Sequence, residues 1–112
     1  MGQPVVEITE FSLLPGTSAE AFLATAGDGN RELYGLRGFR NRHLLQSEDG
    51  WIEIIEWERM EDAQRAGELW PTLPGIAKAY CKMVDPDTLR VGYHSVAAVA
   101  SAVAPTPGEM AF

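Results

Sequence analysis

The alternation of hydrophobic and polar positions along the chain predicts four strands and two helical regions. Residues 5–14 are rich in β-branched and aromatic side chains and end at Pro15-Gly16, which predicts a strand closed by a turn. Residues 39–46 and 51–58 flank a short loop that contains Asp-Gly, a pattern typical of an antiparallel hairpin. Residues 88–96 form the fourth predicted strand. Neither face of the first strand is cleanly polar, so both faces are expected to be at least partly covered.

Two helical regions separate these strands. The first follows Thr17, which we predict to cap it, and its apolar residues recur at roughly helical spacing: Phe22, Ala26, Leu33 and Leu36. Gly27 and Gly29 each cost about 1 kcal/mol inside a helix, so an irregular middle is expected. The second region begins at Met60 and is ended or kinked by Pro71, after which a further helical piece is predicted to turn its apolar residues inward: Ile76, Ala79, Tyr80 and Met83.

The order strand, helix, strand, strand, helix, strand predicts an α+β protein of the ferredoxin-like βαββαβ class, with a four-stranded antiparallel sheet and both helices on one face. The other face would expose either the set Trp51, Glu53, Ile55 and Trp57 or the set Ile52 and Ile54. A large apolar face normally marks an interface, so a homodimer is predicted. The alternative is a monomer whose tail folds over that face. The domain is predicted to span 1–96, with an Ala/Val/Pro-rich tail, 97–112, that is disordered or packs on the partner subunit.

Composition narrows the possible partners. The 112 residues, 46% of them hydrophobic, suit one soluble domain with a modest core. A net charge of -7 argues against nucleic acid and against an anionic membrane surface. The single cysteine, Cys81, excludes an internal disulfide framework and a thiolate zinc site, and is expected to be a small buried hydrophobe. Neither a secretory signal nor a membrane-spanning stretch is evident, so a cytoplasmic protein with a small-molecule ligand is expected.

Three residues are candidates for catalysis. His43 and His94 carry imidazoles, the side chains suited to proton transfer near neutral pH, and Arg42 could hold an anionic oxygen through two hydrogen bonds. Either histidine could equally be a partly exposed strand residue. We expect Arg40 and Arg42 to share one face of their strand, where glutamates of neighbouring strands could pair with them: Glu7, Glu10, Glu53 or Glu56. The spacing of the histidines does not favour a metal site.

Four residues are candidates for binding a flat aromatic molecule. Trp51, Trp70 and Tyr80 could wall it. Glu53 shares a face with two tryptophans and would be a desolvated base if that face is covered. Trp57 is expected to serve in packing instead.

Several short runs resemble one known family. They are Val6-Glu7-Ile8-Thr9 leading to Leu14-Pro15-Gly16, Arg37-Gly38-Phe39 with Arg42, Asp49-Gly50-Trp51, and Ile55-Glu56-Trp57-Glu58 before an alanine-containing helix. Over roughly residues 5–96 the chain is similar to dimeric α+β barrel proteins, and within them to antibiotic-biosynthesis-monooxygenase-like domains. The resemblance implies the fold and the dimer. Some relatives oxidise phenolic or quinol-type polyketides without a cofactor and place Trp, Tyr, Arg, Asn and His side chains around a pocket between sheet and helices. The resemblance therefore implies that residues of these types line such a pocket here, with Asn41 binding the substrate: Trp70, Tyr80, Arg42, Asn41 and His43. Haem-degrading relatives use an asparagine on the first strand and a histidine in the second helix.

The asparagine and histidine of the haem-degrading relatives are both missing from the corresponding regions, and no flavin or nicotinamide fingerprint is present, so no cofactor is expected. The leading hypothesis is a small homodimer that binds an apolar or aromatic molecule between sheet and helices. Oxidation of a phenol or quinol would use His43 or His94 as the base and Arg42 to hold the anion. The alternatives are a non-catalytic binding or structural dimer of the same fold, or an accessory module that works through its tail.

Overall fold

The computed structural model describes residues 3–72, 76–100 and 102, which form an α+β fold on one antiparallel sheet. The four strands are β1 (Val5–Phe11), β2 (Phe39–Gln46), β3 (Trp51–Trp57) and β4 (Arg90–Ser95). Their order across the sheet is β2-β3-β1-β4, and every neighbouring pair is antiparallel. The predicted ferredoxin-like arrangement is confirmed.

The helices are α1 (Ala19–Asp28), α2 (Asn30–Tyr34), α3 (Met60–Leu69) and α4 (Ile76–Met83), with 3-10 turns at Trp70–Thr72 and Pro86–Thr88. The first helical region breaks at Gly29, as its glycines predicted. Its cap is Ser18, whose hydroxyl accepts a 3.1 Å hydrogen bond from the Ala21 N–H, so the prediction of Thr17 was wrong by one residue. The helix starts one residue later than the capping-box pattern implied.

The strand register decides which side chains face the helices. Val5, Thr9 and Phe11 alternate as buried residues along β1. On β3 the buried set is Trp51, Glu53, Ile55 and Trp57. The opposite face carries Val6, Ile8, Ile52 and Ile54, which are half-buried. Of the two sets considered from the sequence, the tryptophan-containing one is therefore covered by helices.

The helix-facing side of the sheet is apolar at its two ends and polar in the middle. One cluster packs Val5, Leu33, Ile55 and Trp57 against Ala63 and Ala66 of α3. The other cluster comprises Phe11, Phe22, Ala26, Trp51, Tyr80 and Val84. Trp70 contacts both clusters. The strand positions between them hold Thr9 and Glu53, which are buried, and Glu7, which is half-buried, so polar groups stand where a fully apolar core would be expected.

A bulge in β2 changes which arginine faces the helices. Phe39 pairs with Trp57, but the next paired residue, Asn41, lies opposite Glu56, so one extra residue is inserted at Arg40. The insertion shifts the alternation of side chains. Arg40 and Arg42 consequently do not share a face, which corrects the prediction.

The end of β1 is tied to α4, and this fixes α4 above the sheet. The Leu14 N–H donates to the Met83 carbonyl at 2.9 Å, and the Asp85 N–H donates to the Ser12 carbonyl at 2.9 Å. The Ser12 N–H in turn donates to the Thr88 hydroxyl at 2.8 Å. These bonds hold Tyr80, in the middle of α4, over the centre of the sheet.

Most of the predicted tail, residues 101 and 103–112, lies outside the described residues. In the part of the chain that the structure describes, no helix has the length and apolar character needed to cross a membrane.

Candidate active site

A cavity of about 460 Å³ lies between the middle of the sheet and the helices. Its walls are largely apolar and include Phe11, Leu33, Ile55, Trp57, Trp70 and Val91. Its polar lining includes Glu7, Thr9, Arg42, Glu53 and Tyr80. Pro86, Leu89, Val91 and Tyr93, on β4 and the turn before it, are exposed as well as lining, so this is the open side of the cavity. An apolar cavity with a few convergent polar groups has the form of a small-molecule site.

Arg42 and Glu53 form a buried ion pair across β2 and β3. The Arg42 Nε donates to Glu53 Oε2 at 2.7 Å, and Nη2 of the same guanidinium also contacts that oxygen. The side chains are 7% and 11% exposed. This is one of the glutamate pairings considered for the arginines, and Arg40 forms another, with Glu56 at 3.6 Å on the exposed face.

The remaining donors of Arg42 hold the end of α1. Arg42 Nη1 donates to the Ala26 carbonyl at 3.0 Å and to Asn30 Oδ1 at 3.2 Å. The carbonyls of the last helical turn lack partners within the helix, and the helix dipole places partial negative charge there. The break at Gly29 thus presents a carbonyl that the guanidinium satisfies. All three guanidinium nitrogens of Arg42 thus contact protein groups.

Tyr80 completes this polar cluster. Its hydroxyl donates to Glu53 Oε2 at 3.2 Å, and its ring centroid lies 5.3 Å from the Arg42 guanidinium carbon. Burial raises the pKa of Tyr80 far above its usual range, and the charge of Glu53 raises it further. Tyr80 is therefore a neutral hydrogen-bond donor at any physiological pH.

Glu7 is the second carboxylate of the cavity, and its surroundings differ from those of Glu53. The Trp57 indole Nε1 donates to Glu7 Oε1 at 2.9 Å. Burial raises the pKa of Glu7, the hydrogen bond from Trp57 opposes that rise, and the charge of Glu53 adds to it. Among the described residues, Glu7 takes part in none of the ion pairs. A desolvated carboxylate without a cationic partner is a suitable proton acceptor.

The two carboxylates are neighbours on the sheet. Thr9 pairs with Glu53, and Glu7 lies two residues before Thr9 on the same face of β1. Such diagonal neighbours are roughly 7–8 Å apart. The charge of Glu53 therefore disfavours ionisation of Glu7.

Tyr93 and Cys81 lie at the open side of the cavity. Tyr93 is paired with Glu7 across β1 and β4, and burial together with the charge of Glu7 raises the pKa of its phenol. A Cβ on Gly67 of α3 would approach the Tyr93 hydroxyl to 3.3 Å, so α3 and β4 come close together here.

Cys81 is exposed, contrary to the prediction that it would be buried, and partial desolvation raises the pKa of its thiol.

The structure brings together some of the candidate residues and separates others. Arg42, Glu53, Trp70 and Tyr80 line the cavity. Trp51 is buried against Phe22 in the core cluster, with ring centroids 4.9 Å apart. Asn41, His43 and His94 lie opposite Glu56, Ile54 and Val6, on the face of the sheet away from the cavity, and all three are exposed.

Glu7 and Tyr93 are site residues that the sequence analysis did not select. A signal for Glu7 was present, because it shares a face with Val5 and Phe11, which are typical core residues. A carboxylate on a covered face is desolvated, and this holds for Glu7 as it does for Glu53. No comparable signal marked Tyr93, since its place beside Glu7 depends on the pairing of β1 with β4.

Within the described residues, no group of three or more histidine, cysteine, aspartate or glutamate side chains is arranged to hold a metal ion.

Solved structures with this fold confirm the resemblance to antibiotic-biosynthesis-monooxygenase-like proteins. The cofactor-independent oxygenase SnoaB from Streptomyces nogalater is 16% identical with a TM-score of 0.66, over 92% of this chain and 100% of its own. A candidate antibiotic biosynthesis monooxygenase from Bordetella bronchiseptica is 15% identical with a TM-score of 0.67, over 84% of this chain and 97% of its own. A haem-degrading protein from Mycobacterium tuberculosis is 19% identical with a TM-score of 0.57, over 91% of this chain and 100% of its own.

No protein-family model matches the chain, and no curated protein matches it in sequence. At these identities the structural likeness establishes the fold. Because the same fold serves both an oxygenase and a haem-degrading protein, the chemistry has to be argued from the residues of the site.

Proposed function

We propose that the protein binds a small, flat aromatic molecule in the sheet–helix cavity and oxidises it with molecular oxygen, with Glu7 as the general base. The observation that carries this proposal is a carboxylate without a cationic partner inside an apolar cavity of about 460 Å³. The oxygenase among the structural neighbours is described as cofactor-independent, which supports the same type of chemistry here. No cofactor is invoked.

The proposed reaction uses a substrate with an acidic carbon or hydroxyl, such as an anthrone or a quinol. For an anthrone, Glu7 removes one proton from the CH2 carbon, and the resulting carbanion transfers electrons to oxygen and forms a C–O bond. The peroxide takes the proton back from Glu7. The same carbon then loses its second hydrogen as a proton while the O–O bond breaks and hydroxide leaves. This forms the carbonyl product, and the proton and the hydroxide combine as one water. One oxygen atom enters the product and the other leaves as water.

The remaining polar residues would orient the substrate. The contacts of Arg42 are with Glu53, Ala26 and Asn30, so in this proposal it holds Glu53 and does not bind a substrate anion directly. Tyr80 and Glu53 offer further hydrogen-bonding groups in the cavity, and Trp70 offers an aromatic wall. In this proposal His43 and His94 have no catalytic role, because they lie on the other face of the sheet.

Oxygen uptake on a panel of anthrones and quinols tests the proposal. A general base contributes roughly 10²–10⁴-fold to the rate. We therefore expect Glu7→Gln to lose at least a hundredfold of the enzymatic rate, whereas His43→Ala retains it. Glu48→Gln, which removes the same charge from an exposed loop residue, is the control for net charge. Uptake no faster than autoxidation on every substrate would reject the oxidation, and a full rate in Glu7→Gln would reject the base.

We further propose that the protein is a homodimer in which two sheets close face to face. The support is the half-buried apolar row on the face that the described helices leave open: Val6, Ile8, Ile52 and Ile54. Residues of this kind on an uncovered face are typical of a subunit interface.

A further inference from the structure

The charges that line the cavity do not cancel. Among the described lining residues, Glu7 and Glu53 are the carboxylates and Arg42 is the cationic side chain. Arg42 is committed to Glu53 by two contacts to the same oxygen, and its other donors go to α1 and Asn30. With both glutamates ionised, the cavity therefore carries one negative charge in excess, and that charge belongs to Glu7.

The neighbours of Glu7 cannot neutralise it. Trp57 donates a hydrogen bond from a neutral indole, and Tyr93, its partner on β4, offers a neutral phenol. Glu53, its neighbour on the sheet, adds a like charge, and among the described residues the cavity also presents the apolar side chains of Ile55, beside Glu7 on β3, and of Leu33 and Leu36. Glu7 is half-buried, and a partly desolvated charge in such a setting is costly unless a counter-charge or a strong donor is supplied. A ligand is the available source of either.

We propose that Glu7 makes this cavity charge-selective: it admits aromatic molecules that present a neutral or cationic hydrogen-bond donor, prefers the cation, and rejects aromatic carboxylates. The inference rests on the proposed function in that it takes the cavity as the ligand site. The inference goes beyond the proposed function because it states which ligands of suitable shape can enter the cavity.

Two effects act in the same direction. An ammonium or amidinium group beside Glu7 gains the attraction that the protein does not supply, and the aromatic walls, Trp57 and Trp70, favour a cation over an anion. A carboxylate at the same place meets a like charge at low dielectric and finds no free arginine, because Arg42 is already paired. The negative charge of Glu7 therefore attracts the cation and repels the carboxylate, and both effects contribute to the discrimination.

Three probes with the same naphthalene ring separate charge from shape. They are 1-naphthylmethylamine, which is cationic near neutral pH, 1-naphthalenemethanol, which is neutral, and 1-naphthoate, which is anionic. Binding is measured by NMR, following the indole N–H signal of Trp57, because this group donates to Glu7 and reports on a ligand placed there. We expect the amine to bind most tightly, the alcohol less so, and the naphthoate at least tenfold more weakly than the amine.

Glu7→Gln tests whether Glu7 is responsible. The amide keeps an oxygen that can accept the Trp57 hydrogen bond but removes the charge. We expect the amine-to-naphthoate affinity ratio to fall at least tenfold in Glu7→Gln and to stay unchanged in Glu48→Gln, where the same charge is removed from the exposed loop.

The inference is overturned if naphthoate binds the unmodified protein as tightly as the amine. It is also overturned if the ratio survives in Glu7→Gln, or if none of the probes shifts the Trp57 signal. Because these are equilibrium measurements, the result is independent of oxygen uptake. If the cavity discriminates by charge but oxygen uptake is absent, the charge selection stands and the oxidation is rejected. If oxygen uptake is found but the cavity does not discriminate by charge, the oxidation stands and the charge selection is rejected.

Discussion

Arg42 on β2 and Glu53 on β3 face each other inside the protein, with the guanidinium Nε 2.7 Å from the carboxylate Oε2. The same guanidinium donates to the last turn of α1, and the same carboxylate oxygen accepts from Tyr80 on α4. One ion pair therefore joins two strands and two helices around the cavity. Both partners are buried, so removing one leaves the other largely desolvated and without its counter-charge.

Arg42→Ala should lower the free energy of unfolding by about 3–5 kcal/mol, because it leaves Glu53 buried without its counter-charge. Arg40→Ala is the matched control, since Arg40 lies two positions away, pairs with Glu56 at 3.6 Å and is 43% exposed. For that exposed pair the loss should be about 1 kcal/mol or less. Urea unfolding near neutral pH measures both. Equal losses in the two variants would contradict the role assigned to the buried pair.

Glu7 should make the protein less stable as the pH rises. Its pKa in the folded protein is raised above the ordinary 4.5, so the folded state holds the proton more tightly than the unfolded state does. This contribution is fully present below pH 4.5 and is lost as the pH rises through the raised value. Since Glu7→Gln has no such group, it should gain stability relative to the unmodified protein across that interval. Thermal unfolding from about pH 4 to about pH 8 measures the difference. A constant difference would show that Glu7 titrates normally.

Trp57→Phe should raise the pKa of Glu7 further, because the indole hydrogen bond favours the ionised carboxylate. An NMR titration of the Glu7 side-chain carboxyl carbon follows this directly. The matched control is Trp51→Phe, which alters another buried tryptophan of β3 that packs on Phe22. The control should leave the Glu7 titration in place. A Glu7 pKa that falls or stays constant in Trp57→Phe would show that the indole does not stabilise the charge.

The strand order and the helix positions follow from local pattern and could be predicted from the sequence, whereas the choice between the two faces of β3 was left open until the structure showed which one the helices cover. β3 shows why: its alternating tryptophan, glutamate and isoleucine residues fit one register against a covered face. The break at Gly29 was also visible as a local cost in helix propensity.

The site was harder to predict because it depends on which side of the sheet each polar residue faces. A single inserted residue at Arg40 sends Arg42 into the cavity and leaves Arg40 outside, and nothing in the local sequence marks that bulge. His43 and His94 have suitable chemistry but alternate to the opposite face. Glu7 acquires its character from Trp57, fifty positions away in the chain, and no local pattern contains that contact.

Gly38→Ala should be clearly destabilising. Gly38 has φ of +80°, and a Cβ there would lie 2.1 Å from the Asp62 carboxylate of α3, a side chain that is 4% exposed. Strain of this kind costs about 1–3 kcal/mol before any movement of Asp62 is counted. Gly27→Ala in α1 is the control, since a Cβ there meets nothing within 4 Å, and it should stabilise by up to about 1 kcal/mol. Thermal unfolding compares the two. A neutral Gly38→Ala would mean that α3 can move away from the strand.

Ile54→Asp should dissociate the proposed dimer. Ile54 lies at the centre of the open sheet face, beside Ile8 on β1 and His43 on β2, and a carboxylate there would be buried between two sheets without a partner. Sedimentation velocity at micromolar concentration should give the mass of two chains for the unmodified protein and of one chain for the variant. Leu23→Asp is the control, because Leu23 is an apolar residue of α1 that is 45% exposed and lies away from this face. It should remain dimeric.

Where Ile54→Asp fails to fold, the unmodified protein still provides a test, because the melting temperature of a dimer rises with protein concentration. A single-chain mass together with a concentration-independent melting temperature would reject the dimer.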